Sequence, residues 1–537
     1  MMKISTNKKQ KIFKESSFIL TYFLIILILW ETLCTFNDAD IYYMIAQGRY
    51  FINNFNINNF HIFDSQNVIQ NWLYCIFLTI INDNLHGLGL IILQLIFISI
   101  AIIITLKFLG YKKNENIIYN ILILFFFFIC FSYINLRPQI LTYILIMLEI
   151  LALEKYKNNN NKKWLFIIPF LTLIEINCHA SYWIMHFIVM IPYIIPIPNF
   201  VSKSLKITRK INNNIKKDFL KPLIFIIIFM IISLFINPYG INSVLYVFKA
   251  LFSNAFKIIS ITEQQPFYLN NIYSIIIILS IICFVLSFKK GIIKSVSAWM
   301  FIGFTFLIIN VIKWAPFYVI GCLFILRDIK NYYLNKQSLK EKDKNVLNNK
   351  KILICNIFLL FGCIVVFRYC VNIKLFDIKY DYLRYNTLFG KYENTVINNE
   401  KDIINICDYL DKNTNKNIGI WNEFDIGCYL EYRGYCNIYL DARPELYTDN
   451  KKYNPFGYKK ISNTKQDTLS EYATIDRGRD FQNNPLSLKQ YDKLIDNINA
   501  EYFVVDKKNI VLINYFRNNK TKYKYVLGKD YMLFEKL

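Results

Sequence analysis

Two carboxylates that stand two positions apart, Asp38 and Asp40, follow an apolar run over residues 18–36. Such a pair can accept a proton or hold a cation, and its oxygens suit Mg²⁺ or Mn²⁺ better than Zn²⁺. No Cys or His ligand set stands beside the two aspartates in the sequence, so the metal signal rests on them alone. The alternative for Asp38 is an N-cap of the following helix. The pattern therefore predicts either a chemical site or a helix cap at this point.

Composition indicates which kind of protein must position these residues. Of 537 residues, 55% are hydrophobic and 17% are aromatic, which is more apolar mass than a soluble core needs. Many runs are long enough to cross a hydrocarbon core of roughly 30 Å, and there the backbone must satisfy its own hydrogen bonds as a helix. The sequence thus predicts a polytopic α-helical membrane protein with about eleven transmembrane helices. These are 18–36, 87–106, 116–134, 138–154, 164–178, 181–198, 220–237, 271–288, 293–311, 313–327 and 351–371.

The placement of the net charge of +24 gives the predicted orientation. When alternate connections are assigned to opposite sides, one side carries 30 Lys and Arg residues and the other carries five. This asymmetry favours a membrane orientation over nucleic-acid binding, because the more basic side of a membrane protein faces the cytoplasm. We therefore expect a multi-pass membrane protein with its N-terminus in the cytoplasm. Asp38, Asp40 and the chain after residue 371 would be extracytoplasmic.

One further apolar segment, residues 68–83, has to be placed consistently with this orientation. If it crossed the membrane, every later lysine-rich connection would invert, against the charge rule. We therefore expect interfacial helices around residues 41–83, with Trp72 and Tyr74 at the level of the lipid headgroups. The predicted transmembrane domain spans residues 1–371, and a second domain spans 372–537.

Polar motifs collect in the connections that are predicted to face outward. They are "NLRPQ" at 135–139, "EINCHASY" at 175–182, "INPYG" at 236–240, "TEQQPF" at 262–267 and "IKWAPF" at 312–317. Each has an ordinary explanation, since prolines end helices, Arg137 can reach lipid headgroups and His179 can be a hydrogen-bonded interfacial residue. Polar groups at the edge of apolar spans are costly, however, and their collection on one side predicts a polar cavity there.

Several of these segments, taken in order, resemble a known family. "DADIYYMIAQGRYFINN", "NWLYCIFL", "LRPQILTYIL", "INCHASYW", "INPYG" and "IYLDARPELY" are similar to a set of bacterial GT-C-type integral-membrane glycosyltransferases. Departures from the pattern are Gln70 and Asn71 in place of His-Glu, and Ala180 in place of Gly. The resemblance implies transfer of a sugar from a polyprenyl-phosphate donor to an extracytoplasmic glycan, lipid or protein.

The resemblance also implies roles for particular residues. Asp38 or Asp40, with Asp40 preferred, would be the base or a metal ligand. Arg137 and then Lys313 would hold the donor phosphate, because cations stabilise a leaving phosphate. His179 would contact phosphate or share a proton. Other candidate site residues are Gln139, Asn177, Tyr239, Glu263, Asp441, Arg443 and Glu445.

The C-terminal region has a different pattern. Short apolar strands at 417–421, 437–441, 501–506, 524–528 and 531–536 alternate with helical segments at 401–412, 423–434 and 487–498. This order predicts a small α/β domain with a partly parallel sheet. Residues 448–486 are expected to be irregular. Asp441, Arg443 and Glu445 follow a strand, where α/β sheets often bind ligands, although a local salt-bridge cluster explains them equally well.

A second function remains open on the sequence alone. A transporter, or a non-catalytic envelope-assembly protein of the same fold, would use the outer domain for binding. A transporter should carry paired ionisable residues near the middle of the membrane. Glu149 and Glu175 lie within predicted spans, whereas the polar motifs collect at one surface, which favours the enzyme.

Overall fold

The structure is a computed structural model, and it describes eleven parts of the chain. These are residues 40–54, 68–110, 136–195, 217–251, 272–340, 400–424, 426–435, 437–441, 443, 468–479 and 484–537. Asp38, Glu263 and Glu445 lie outside the described residues, and so do the predicted spans 18–36, 116–134 and 351–371.

The N-terminal part of the described chain is helical, as the sequence predicts. Its helices are α1 (Asp40–Asn54), α2 (Trp72–Phe108), α3 (Pro138–Asn159), α4 (Ile167–Cys178), α5 (Ile184–Ile194), α6 (Lys217–Leu234), α7 (Ile241–Leu251), α8 (Ile272–Lys289), α9 (Ser295–Asn310) and α10 (Ala315–Lys340). Short 3₁₀ turns over Lys162–Phe166 and Ile312–Trp314 precede α4 and α10. The buried core of this bundle is built mainly from α2, α3, α5, α9 and α10.

Helix α2 joins two segments that the sequence analysis separated. His86 interrupts it with φ 52° and ψ −150°, between the predicted interfacial segment 68–83 and the predicted span 87–106. Among the described residues, α2 is the helix that is long and apolar enough to cross a membrane, judged by length and composition. Shorter apolar helices are Ile184–Ile194, Leu220–Leu234, Ile277–Lys289 and Ser295–Asn310. Eleven spans therefore remain a prediction.

The first half of helix α1 is buried on all of its faces. Residues 41–48 are all buried, so α1 does not have the exposed polar face that an amphipathic surface helix would show. It packs closely against the first half of α2 at Gly48, where a Cβ atom would lie only 2.3 Å from the carbonyl oxygen of Cys75. The Thr79 hydroxyl strengthens this contact by donating to the carbonyl of Ile45 at 3.0 Å. The backbones of α1 and α2 are thus held at a distance that only glycine permits.

We expect Gly48→Ala to lower the thermal stability of the protein by about 1–3 kcal/mol, the usual cost of overpacking a close contact. The Cys75 carbonyl belongs to the helix backbone and cannot turn away. Gly303→Ala is the matched control, because no atom lies within 4 Å of the added Cβ in α9. Thermal unfolding in detergent measures both variants. Equal melting temperatures for the two would contradict the close packing of α1 on α2.

The C-terminal part contains a mixed four-stranded sheet within the described residues. Its strands are β1 (Ile420–Asn422), β2 (Tyr502–Asp506), β3 (Tyr523–Leu527) and β4 (Tyr531–Lys536), in the order β1-β2-β4-β3. β1 pairs with β2 in parallel, and β4 pairs with both β2 and β3 in antiparallel fashion. The predicted strand 437–441 contributes only a parallel bridge between Ile438 and Ile420. The partly parallel sheet is therefore confirmed.

The helices around this sheet confirm some predictions and correct one. α11 (Glu400–Asn413), α12 (Gly427–Tyr432) and α14 (Leu488–Asp496) lie where helices were predicted. α13 (Thr468–Arg477) lies inside the segment that we expected to be irregular, so that prediction was wrong for these ten residues. α15 (Ile510–Asn518), between β2 and β3, had no counterpart in the sequence analysis.

Candidate functional site

The structure joins two of the predicted site residues in an ion pair. Asp40 is the first residue of α1, and Arg137 is the extended residue directly before α3, which begins with Pro138. Arg137 Nη2 lies 3.2 Å from Asp40 Oδ2, and each side chain is about one-quarter exposed, at 23% and 24%. Because these residues are nearly 100 positions apart, their contact depends on how α1 packs beside the start of α3. The two opposite charges share one end of the helical bundle.

His179 lies near the same end, at the C-terminus of α4. Its Nδ1 atom is 2.8 Å from the hydroxyl oxygen of Thr142, and that oxygen is 2.6 Å from Glu175 Oε1. The Thr142 hydroxyl donates to Glu175 and has no second proton to donate to His179. The Nδ1–H group of His179 then donates to Thr142, which leaves the lone pair of Nε2 as a proton acceptor.

The charge state of His179 follows from its surroundings. Burial lowers the pKa of His179 well below its usual value, and the nearby positive charge of Lys313 lowers this pKa further. The imidazole is therefore neutral at physiological pH. Lys313 comes from the turn before α10, and the neighbouring Trp314 ring lies 5.2 Å from Tyr182, whose own ring is 4.2 Å from His179. The predicted residues His179 and Lys313 are thus electrostatic neighbours.

The first turn of α3 connects the two pairs. The Thr142 hydroxyl also lies 3.3 Å from the carbonyl of Pro138, the residue that follows Arg137. Arg137 and Thr142 are therefore about 8 Å apart along the helix axis, at a rise of 1.5 Å per residue. The start of α3 carries Arg137 towards Asp40 and Thr142 towards His179. It is the element that positions both halves of the site.

Two amide side chains beside these residues have buried oxygens without a hydrogen-bond donor in the described part of the chain. They are Gln139 Oε1 and Gln70 Oε1. Gln139 is the second residue of α3, and the carbonyl of Gln70 accepts from the amide of Ala180 at 2.8 Å, directly after His179. A buried acceptor without a donor is costly, and a bound hydroxyl or water would satisfy it. The site therefore offers acceptors for a ligand with hydroxyl groups.

Asn177 and Tyr239, two other predicted site residues, have structural contacts. The Asn177 carboxamide accepts from Trp72 Nε1 at 3.0 Å and donates to the carbonyl of Ile236 at 3.0 Å. It therefore ties α4 to α2 and to the end of α6. Tyr239 is buried, and its backbone amide donates to the side chain of Asn237 in a tight turn. These contacts explain the polar motifs without a ligand.

The predicted cluster in the C-terminal domain is a buried salt bridge. Arg443 Nε is 2.9 Å from Asp441 Oδ1, and its Nη2 atom is 3.0 Å from Glu431 Oε1 on α12. All three residues are buried. The guanidinium of Arg443 lies 4.9 Å from the ring of Tyr43 on α1. Burial and then the nearby Asp40 charge raise the pKa of Tyr43 well above its usual value, so Tyr43 lies within the electrostatic reach of both Asp40 and Arg443.

One cluster was not anticipated as a unit. His186 on α5 places Nδ1 at 2.5 Å from Glu149 Oε2 and Nε2 at 3.8 Å from Glu175 Oε2. All three are fully buried, and Glu175 continues through Thr142 to His179. The sequence does show one ionisable residue within each of three apolar helices. Burying such residues costs free energy unless they pair, so a cluster could have been expected. The sequence does not show which of them meet.

The predicted metal site is described only in part. Asp40 pairs with the cation Arg137, and His179 has Lys313 as an electrostatic neighbour. In the described part of the chain, no group of three His, Cys, Asp or Glu residues is arranged to hold a metal ion. Asp38, the other half of the predicted Mg²⁺ or Mn²⁺ site, lies outside that part. The predicted Mg²⁺ or Mn²⁺ site therefore stays a prediction.

Comparison with known proteins gives no assignment: no family model matches the chain, and no curated protein matches it.

Proposed function

We propose that this chain is a GT-C-type membrane glycosyltransferase of the bacterial plasma membrane. It would transfer a sugar from a polyprenyl-phosphate donor to an extracytoplasmic glycan, lipid or protein. The proposal rests mainly on one observation: Asp40, Arg137, His179 and Lys313 are gathered around the start of α3. This set offers both a proton acceptor and cations for a phosphate, the two things that the reaction needs.

The reaction can be written with these side chains. The acceptor hydroxyl would lose its proton to the Nε2 atom of His179 or to the Asp40 carboxylate as its oxygen bonds to the sugar C1 carbon. The bond between C1 and the phosphate oxygen breaks, and polyprenyl phosphate leaves with the bonding electrons. Arg137 and Lys313 would stabilise the negative charge on that phosphate. Gln70 and Gln139 would accept hydrogen bonds from sugar hydroxyls through their unpaired oxygens.

The surface of the helical bundle supports a membrane location. Large apolar side chains on the outside of α6 and α8 are about half exposed, for example Ile232 at 52% and Leu279 at 59%. Others on these two helices are Ile224, Phe225, Ile228, Ile231, Ile282 and Leu286. Exposed apolar side chains in this number are unfavourable in water and suit lipid.

The test is donor turnover by Asp40→Asn and Arg137→Ala protein reconstituted in liposomes. We expect each variant to release polyprenyl phosphate from polyprenyl-phosphate-linked sugars at least tenfold more slowly than wild type, because each loses a group that acts on the transition state. Asp408→Asn and Arg517→Ala, at exposed positions of the C-terminal domain, are the matched controls. Wild-type turnover by both site variants, at equal protein levels, would reject the enzyme.

A second candidate function is proton-coupled transport across the same membrane. The buried Glu149–His186–Glu175 cluster favours it, since ionisable groups inside a helical bundle often form proton relays. Uptake and sugar-transfer assays in the same liposomes distinguish the two functions. Under the transport function, His186→Gln would abolish solute uptake driven by a pH gradient, and Asp40→Asn would leave uptake intact. Under the enzyme function, Asp40→Asn would slow sugar transfer at least tenfold.

A further inference from the structure

A basic pocket lies at the other end of α3, away from Asp40 and Arg137. Its volume is about 260 Å³, and its walls come from α2, α3, α10 and Lys294, the residue directly before α9. The charged and polar residues that line it are Lys107, Glu154, Lys155, Asn158, Lys294, Arg327 and Asn331. Lys155 is 17 residues after Pro138, so the pocket is about 25 Å from the start of α3, at a rise of 1.5 Å per residue. The pocket is therefore separate from the candidate site.

Positive charge dominates this pocket. Four cationic side chains face one carboxylate, Glu154, which leaves a net charge of +3 on the lining. Glu154 is already engaged, since it accepts from Arg327 Nη1 at 2.9 Å and from the Tyr193 hydroxyl at 2.8 Å. Within the described residues, Lys107, Lys155 and Lys294 form no salt bridge with any carboxylate. The pocket gathers more cations than the described protein neutralises.

Two features distinguish this pocket from an ordinary basic surface: its cations come from separate segments of the chain, and apolar side chains form part of its wall. Its cations come from α2, α3, α10 and the residue before α9, and they line one cavity together with the apolar side chains of Phe108 and Leu151. Lys155 Nζ also lies 3.4 Å from the centroid of the Trp164 ring. The Arg327 guanidinium is only about one-tenth exposed and lies 4.4 Å from the ring of Phe108. Holding like charges together beside apolar side chains costs free energy unless an anion joins them. A phosphate group, with several acceptor oxygens, suits such a set of donors.

All four cations also belong to the side of the chain with the high count of Lys and Arg. Lys107, Lys155, Lys294 and Arg327 lie at or beside the ends of four predicted spans, on the side that the charge pattern assigns to the cytoplasm. Their meeting in one pocket agrees with a placement on one side. Anionic lipids concentrate in the cytoplasmic leaflet, and basic pockets between helices bind their headgroups.

We propose that this pocket binds the phosphate group of an anionic ligand, held by Lys107, Lys155, Lys294 and Arg327. The volume suits one headgroup or one small phosphate rather than a whole lipid-linked sugar. The phosphate can come from an anionic phospholipid in the bilayer or from a soluble phosphate. The proposal is independent of the glycosyltransferase function, because it concerns a different end of the bundle.

The test compares a triple variant, Lys107→Gln/Lys155→Gln/Lys294→Gln, with wild type. Arg327 is left in place because it pairs with the buried Glu154. Full-length protein in a neutral detergent is titrated with phosphatidylglycerol, with phosphatidylcholine, and with inorganic phosphate or pyrophosphate, and native mass spectrometry measures occupancy. We expect wild type to bind one of the anionic probes and not phosphatidylcholine. The triple variant should bind that probe at least tenfold more weakly.

A control variant with three lysines changed outside the pocket is compared with the pocket variant. Lys162→Gln/Lys163→Gln/Lys289→Gln removes three exposed lysines outside the pocket, and should bind like wild type. Binding of phosphatidylglycerol alone identifies a lipid ligand, and binding of the soluble anions alone identifies a free phosphate. If the triple variant does not fold, each single Lys→Gln variant is titrated instead. Equal binding by wild type and pocket variants, or absence of anion binding by wild type, overturns the proposal.

Discussion

Arg443→Ala is expected to destabilise the C-terminal domain by about 3–5 kcal/mol, the usual cost of removing one partner from a buried salt bridge. Arg443 contacts Asp441 and Glu431, and all three side chains are buried. Without the guanidinium, two neighbouring carboxyl groups would face each other away from water. Burial and the Asp441 charge already raise the pKa of Glu431 well above its usual value, and Arg443 is the group that opposes this shift.

The loss of stability should also affect α1, because the Arg443 guanidinium lies 4.9 Å from the ring of Tyr43 on that helix. We expect faster amide hydrogen exchange in Arg443→Ala, both in α12 and in α1. Arg433→Ala is the matched control, since Arg433 pairs with Asp408 and Asp411, whose side chains are 50% and 30% exposed. That change should cost less than Arg443→Ala, because the carboxylates that it leaves without a partner stay in contact with water. If both variants lose the same free energy of unfolding, the buried ion pairs of Arg443 contribute no more to stability than those of Arg433.

The sequence predicted which residues share an end of the bundle, but not which of them touch. Counting Lys and Arg on alternate connections placed Asp40 and Arg137 on one side, and the structure brings them to 3.2 Å. The same count grouped Lys107, Lys155, Lys294 and Arg327, which line one pocket. Charge asymmetry acts on whole connections during membrane insertion, so it carries information about sides. Contacts are determined by helix packing, which a charge count does not contain.

The ion pairs of Arg443 show that spacing along the sequence does not identify every partner of a residue. The motif around residue 443 suggested Asp441 and Glu445 as its partners, because they are neighbours in sequence. Asp441 is a partner in the structure, but the second carboxylate described is Glu431, twelve residues earlier on α12. Gly427 permits this approach, since a Cβ there would lie 2.0 Å from the carbonyl oxygen of Leu440. The contact therefore depends on the close approach of α12 to the backbone at residues 440–441.

The missed helix α13 did carry a usable pattern. Leu469, Tyr472 and Ile475 recur at three-residue spacing, and all three pack in the core against the sheet. A long flanking stretch of Asn, Lys and other polar residues made the region look irregular as a whole. Helical periodicity over ten residues is a weak signal when its neighbours have none. Packing against the sheet, rather than local propensity, stabilises this helix.

Glu423 gives the C-terminal domain a predicted pH dependence. It follows β1 and is buried, and burial raises its pKa from 4.5 to about 7, with Asp476 adding to the shift. The Tyr472 hydroxyl and Asn509 amide donate to it at 2.7 and 3.2 Å, which limits the shift without cancelling it. Between these pH values the folded protein keeps a proton that the unfolded chain releases. The contribution of Glu423 to stability is therefore complete below pH 4.5 and is lost as the pH rises towards 7.

We expect Glu423→Gln to remove this dependence. The free energy of unfolding of the variant, relative to wild type, should rise by about 3 kcal/mol between pH 4.5 and pH 8, since each pKa unit corresponds to about 1.4 kcal/mol. Denaturant unfolding followed by tryptophan emission measures it, because Trp421 is buried with its ring 5.8 Å from Tyr472. Glu501→Gln, at an exposed position beside β2, controls for the lost charge. A difference from wild type that stays constant with pH would mean that Glu423 is ionised in the folded protein throughout this range, and that its hydrogen bonds from Tyr472 and Asn509 outweigh burial.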